Sequence, residues 1–214
     1  RGRTPNVYYF NPEAENRIAA LPEAYHPPER IQKLVLDLEL LAGFLARRDD
    51  VVLLRRIPTE EHVATLREAG FPLPECERLG EDGGLAPDSL LRERKVNRFR
   101  PWSRTPDLET RFSCLGHSDG LASDMKWRDS DRELFDKTAQ AEAFSDWFGA
   151  GHSLRKASDL RYALADFRDR KIEDLVWKPG IASAAAGMRR VSRRELEARI
   201  AQSDGPDFSR SGPV

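Results

Sequence analysis

The 214 residues carry 35 Lys+Arg against 36 Asp+Glu, and this near-cancellation gives no global electrostatic case for nucleic acid or an anionic membrane as partner. Charged residues make up 33% of the chain, every apolar run is far shorter than the roughly 18 residues of a membrane span, and no signal-peptide pattern opens it, so a soluble, cytoplasmic protein is expected. Cys76 and Cys114 lack a C-x-x-C partner and are expected to be reduced, a single bridge between them being the alternative, while His26, His62, His117 and His152 are too scattered to suggest a metal site.

Asn6-Val7-Tyr8-Tyr9-Phe10 is a β-rich run stopped by Asn11-Pro12, which predicts a first strand and a turn. Pro27-Pro28-Glu29-Arg30 opens a helix, because a proline at a helix start lacks only an N–H that would have no partner. Ile31, Leu34, Val35, Leu38, Leu41 and Leu45 recur at helical spacing and predict one apolar stripe ending at Asp49-Asp50. Val51-Val52-Leu53-Leu54 then reads as a strand covered on both faces in a parallel sheet. Thr59 is placed to cap a second helix, with Glu60 and Glu61 in its first turn and Gly70 beyond its end. Strand, helix, strand, helix predicts a small Rossmann-like α/β unit, and the absence of G-x-G-x-x-G after the first strand argues against a dinucleotide.

From Gly80 to Gly120, Gly83-Gly84, Pro87, Pro101 and Pro106 interrupt any long element, and Leu90-Leu91 is the apolar pair suited to anchor a helical turn. Arg92, Arg94, Lys95, Arg98, Arg100, Arg104 and Arg111 fall close together here, with Phe99 and Trp102 interleaved. One reading is a basic, aromatic surface for nucleic acid or an anionic substrate, in which Arg98, Arg100 and Arg104 are candidates to bind an acidic acceptor. The other, favoured by the neutral whole-chain charge, is a solvated connection with two aromatics docked on the core.

Ser130-Asp131-Arg132-Glu133 fits a capping box, although Asp136 is an alternative cap for a helix starting at Lys137. Thr138, Ala141, Phe144 and Phe148 line one face of that helix, with Trp147 beside it, and are expected to be core. Ser158 is expected to cap the next helix, with Leu160, Leu164 and Phe167 facing inward, and Ser192-Arg193-Arg194-Glu195 to cap the last, with Leu196 and Ile200 inside.

Between these two helices, Lys171 to Val191 reads as a turn, an apolar strand ending at Val176-Trp177-Lys178-Pro179, a loop of small residues from Gly180 to Gly187, and a second strand. Gly180, Ala182, Ser183, Ala184, Ala185, Ala186 and Gly187 carry almost no side chain, so backbone N–H groups could approach a phosphate while Lys178 supplies a fixed charge. An ordinary hairpin with an alanine-rich loop is the alternative.

Asp136-Lys137 and a helix, a strand ending in Lys178-Pro179, the small-residue loop, a strand ending in Val191, then Ser192-x-x-Glu195 and a helix resemble the first ATP-binding subdomain of the ATP-grasp superfamily. The loop departs from the family pattern in being poorer in glycine. The resemblance implies an α/β fold in which residues 1–125 form a Rossmann-like pre-ATP-grasp domain and 126–214 the first α+β subdomain of the ATP-binding domain. It implies ATP binding by Lys137, Lys178, Gly180, Ser183, Ala184 and Gly187. The family activity is ATP-dependent ligation of a small carboxylate to an amine or thiol through an acyl phosphate. The Mg²⁺ ligands of the family belong to a second subdomain expected beyond Val214, so a missing C-terminal half or a partner chain is implied, and turnover of ATP by these residues alone is not. The chain begins with Arg1 rather than Met, which fits a processed product or a fragment. A non-catalytic nucleotide-binding module and an α/β protein-interaction module are the alternatives.

Overall fold

A computed structural model describes residues 4–115, 124–147, 151–182 and 187–202. The chain divides into two compact units: residues 1–17 with 24–128, and residues 18–23 with 129–214.

Unit 1 is built on four strands, β1 (Asn6–Tyr9), β2 (Val51–Leu54), β3 (Glu75–Arg78) and β4 (Arg98–Pro101), all parallel and in the order β3-β2-β1-β4. Val7 is the hinge of the register, lying opposite Val51 on one side and Phe99 on the other. Period-two alternation sends Val7, Tyr9, Val51, Leu53 and Phe99 to one apolar cluster, and Val52, Leu54 and Phe10 to a second. The sheet is therefore covered on both faces, which is why β2 carries no polar residue and is buried throughout. On the first face Phe112 packs edge-on against Tyr9, with ring centroids 4.9 Å apart, and equally close to Phe99.

Helices α2 (Glu29–Leu38), α3 (Glu60–Glu68) and α4 (Leu108–Arg111) belong to this unit, as does the first turn of α1 (Ala14–Ala20). The single stripe expected from Ile31 to Leu45 is interrupted: α2 ends at Leu38 and Glu39–Leu45 tightens to a 3₁₀ helix. The cause is Glu39, whose buried carboxylate accepts the main-chain N–H groups of Arg55 and Arg56 at 2.9 and 2.8 Å. Holding it over the end of β2 turns Leu41 and Leu45 outward, and Leu34 is exposed as well. Thr59 caps α3 through its side chain, and Gly70 at φ +85° closes it, as the sequence indicates. The N–H of Gly70 bonds to the Arg67 carbonyl and that of Phe71 to the Leu66 carbonyl, a Schellman ending.

The basic stretch contains a strand: Arg98 to Pro101 is β4, and Phe99 is buried against β1 while Trp102 stays exposed, its ring edge-on to Phe10. The Leu90-Leu91 pair does anchor a helical turn, with Leu91 buried and Leu90 outward.

Unit 2 contains a 3₁₀ segment (Asp129–Phe135), α5 (Lys137–Ala143), α6 (Ala157–Asp169), a two-stranded antiparallel pair β5 (Asp174–Trp177) and β6 (Arg189–Ser192), and α7 (Arg193–Gln202). Asp136, not Ser130, is the cap of α5, its carboxylate accepting from the Thr138 N–H at 2.8 Å. The aromatic face expected to be core is not: Phe144 is 55% exposed and Trp147 87%, while Phe148 lies outside the described residues. Helix α5 ends at Ala143 before a second full turn can form, so the spacing counted through Phe144 and Trp147 has no helix to act on. Helix α6 starts two residues earlier than Ser158 implies, because the Asp159 carboxylate accepts from the N–H groups of Arg155 and Lys156. It buries Leu160 and Leu164 as expected. Its ending repeats that of α3, with Lys171 at φ +57° where α3 uses glycine. Ser192 caps α7 through its Oγ, which accepts from the Glu195 N–H.

Candidate functional site

Unit 2 pairs the two strands of the Lys171–Val191 stretch as the sequence suggests. Asp174 pairs with Ser192 and Trp177 with Arg189, so Lys178 leaves β5 directly and Gly187 returns the chain to β6. Gly187 has φ +71°, and a Cβ there would come within 2.7 Å of Pro179, so the return is open only to glycine. Gly180 is confined from another side, since a Cβ would meet the Asp136 carboxylate at 2.8 Å. Lys137 reaches this loop twice: its N–H donates to the Gly180 carbonyl at 2.8 Å and its Nζ to the Ala182 carbonyl. Lys137, Lys178 and Gly180 are thus gathered at one end of the β5–β6 pair, with both lysines exposed and neither paired with a carboxylate among the described residues. Ser183 and Ala184 lie outside the described residues.

Beside α6, the His152 ring sits edge-on to Tyr162 and Phe167, and its Nε2 lies 2.8 Å from Asp166 Oδ2. That hydrogen bond, with a second from Arg170, holds the Asp166 carboxyl below the ordinary carboxylate range. A depressed folded-state value stabilises above the unfolded Asp value of about 3.9 and is lost as pH falls through the folded one. Thermal melts of unit 2 between pH 6 and pH 2 should therefore show an acid-sensitive component that Asp166→Asn removes. An unchanged acid profile in that variant refutes the assignment.

In unit 1 the carboxyl ends of the strands carry a second polar group of side chains, of which the sequence marks only Arg111 for a functional role, as part of the basic stretch. Tyr9 closes β1, and its buried hydroxyl accepts from Arg111 Nη1 at 2.9 Å and Arg55 Nη2 at 3.5 Å. Burial pushes this phenol up, against the pull of Arg111 and Arg55. Glu13, at the entry to α1, is held by Arg17 at 3.2 Å and lies 3.7 Å from Arg55, and Asp107 lies 3.4 Å from Arg111 Nε. The loops after β1 and β4 are tied by two hydrogen bonds between the Asn11 side chain and the Ser103 backbone, at 2.8 and 3.0 Å. Arg55 follows the apolar run of β2 directly and Glu13 follows β1 by a turn; position after a buried parallel strand is the signal that could have found them.

The arginines nominated for an acidic acceptor do not join that group. Arg98 lies at the amino end of β4, paired with the buried Asp124, whose other oxygen accepts the Phe99 N–H. Arg100 and Arg104 are exposed. Among the described residues, no group of three or more His, Cys, Asp or Glu side chains is placed to hold a metal ion, and no helix is long and apolar enough to cross a membrane. Comparison of the chain with family models, with known proteins and with solved structures finds no match.

Proposed function

We propose that unit 2 binds the phosphates of ATP at the β5–β6 loop, and that the chain is the N-terminal part of an ATP-dependent ligase. On this reading unit 1 is a Rossmann-like pre-ATP-grasp domain and unit 2 the first subdomain of an ATP-grasp fold. The substrate is a small carboxylate, activated as its acyl phosphate before attack by an amine or thiol. One observation carries the reading: Lys137, distant in sequence, contacts the loop that follows Lys178 through both its main chain and its side chain. Two exposed ammonium groups beside a glycine-bounded loop offer what a polyphosphate needs, namely fixed positive charge and close backbone approach.

ATP supplies the phosphoryl group; the chain supplies charge and position. Lys178, directly after a strand and before Pro179, has its backbone confined to extended geometry and projects from a fixed point. Lys137 exchanges the Ala182 carbonyl for a phosphate oxygen, a stronger acceptor because it is charged. Magnesium has no fitting ligand set among the described residues, so the neutralisation supplied here rests on the two lysines.

Titration calorimetry with a non-hydrolysable ATP analogue tests this. Lys178→Ala should weaken binding by about 10- to 100-fold, the equivalent of one charge-assisted hydrogen bond of roughly 1.5–3 kcal/mol. Lys137→Ala should act in the same direction. Lys171→Ala, at the end of α6, should do little. Equal affinities for wild type and Lys178→Ala remove the loop as a nucleotide site. A non-catalytic interaction module then becomes the better reading, and one contact already favours it: the Lys137 ammonium is satisfied within the chain by Ala182.

A further inference from the structure

The order β3-β2-β1-β4 means that the chain steps outward from β1 to β3 and then returns to the other side of β1. At such a reversal the connections diverge to opposite faces, and the crevice beyond the carboxyl ends of the strands is where open parallel sheets receive ligands. Tyr9 is the last residue of β1, Arg55 follows β2 directly, and Glu13, Asp107 and Arg111 lie in the segments that follow β1 and β4.

Their pairing is incomplete in two places. Arg55 and Arg111 converge on one neutral oxygen, the Tyr9 hydroxyl, which relieves none of the repulsion between two guanidiniums. Arg55 Nη1 is buried without a hydrogen-bond acceptor, 3.5 Å from a Glu39 oxygen that is committed to the Arg55 N–H. A carboxylate matches the planar guanidinium fork that these two residues present. On the other side, the Glu13 side chain is only 3% exposed; Oε1 is engaged by Arg17, but Oε2 is buried with no donor. A buried carboxylate oxygen in that state lacks a cationic or N–H donor. The surrounding set is balanced, Arg17, Arg55 and Arg111 facing Glu13, Glu39 and Asp107, which disfavours a phosphate dianion and suits a ligand of zero net charge.

We propose that this crevice of unit 1 binds a free α-amino acid, its carboxylate on Arg55 and Arg111 and its ammonium on Glu13 Oε2. The site lies wholly in unit 1 and does not depend on nucleotide binding by unit 2.

The test screens the whole chain by thermal shift against each of the twenty genetically encoded L-amino acids, then measures affinity by calorimetry for those that raise Tm. At least one should do so. Its deaminated acid and its decarboxylated amine should each bind at least about 10-fold more weakly, as expected for loss of a charge-assisted contact. Glu13→Gln should weaken the amino acid by a similar factor while leaving the deaminated acid unaffected, and Arg111→Lys, which keeps the charge but loses the fork, should weaken both. If none of the twenty raises Tm, or if the deaminated acid binds as tightly as the amino acid, the proposal is wrong and a water molecule on Glu13 is the better account. The analogue comparison uses wild-type protein, so it stands even if a variant fails to fold.

Discussion

Phe112→Ala should destabilise unit 1 by about 3–5 kcal/mol, the range for truncating a fully buried aromatic side chain. Phe112 has no exposed surface and is the common neighbour of Tyr9 and Phe99, with ring centroids 4.9 Å away in both cases. Tyr9 and Phe99 sit on adjacent strands, β1 and β4, whose rings are themselves 6.3 Å apart. Removing the third ring leaves a void that neither partner can fill without leaving its strand position, so the transfer loss and the cavity cost add. Each aromatic pair contributes about 0.5–1.5 kcal/mol beyond its buried area, and both pairs are lost together. Urea unfolding monitored by hydrogen exchange of the β1 and β2 amides measures the effect within unit 1. A loss below about 1 kcal/mol would place Phe112 at a surface, contrary to the packing described.

Asp50→Ala should cost about 2–5 kcal/mol for a different reason, the loss of a buried acceptor shared by Asn6 and Arg47. The Asp50 side chain lies immediately before β2, fully buried, and ties β1 to the preceding turn. Its Oδ1 accepts from the Asn6 N–H at 2.9 Å and from Asn6 Nδ2 at 3.2 Å, and its Oδ2 accepts from the Arg47 N–H at 2.9 Å. Alanine leaves both main-chain N–H groups without that acceptor, at about 1–3 kcal/mol each where water does not replace it. Asparagine keeps one acceptor but turns an amide N–H₂ toward a donor, so Asp50→Asn should fall between wild type and alanine. Chemical denaturation of the three proteins under one set of conditions gives the ranking. Alanine and asparagine of equal stability would mean that the two N–H groups find water instead.

What the sequence made legible was local. The β2 strand is a run of four apolar residues, and the caps of α3 and α7 lie within three residues of the groups they satisfy. Strands β3 and β4 escaped notice because they are the two edges of the sheet. Glu75, Arg78 and Arg100 face solvent there, so the alternation carries more charge than a strand pattern ordinarily does. The Ile31–Leu45 stripe misled because periodicity is blind to a single buried carboxylate; Glu39 is set by Arg55 and Arg56, which belong to another element. The two candidate sites divide in the same way. Lys178 and its loop were visible as consecutive residues, whereas Glu13, Arg55 and Arg111 come together only through strand order.

The position of β1 also sets the order of events during synthesis. It is an inner strand of the sheet, yet its two partners are β2, beginning at Val51, and β4, beginning at Arg98. At about 5–20 residues per second of translation, the strand leaves the ribosome roughly 5–20 s before β4 can join it. For that interval Val7-Tyr8-Tyr9-Phe10 is a β-prone segment with at least one open edge, the kind of sequence that pairs with other chains when concentration allows. Asn11-Pro12 directly after it limits how far such pairing can spread, since proline cannot donate to a ladder. The strand that joins β2 to β4 thus waits longest for its full set of partners while the sheet is being made.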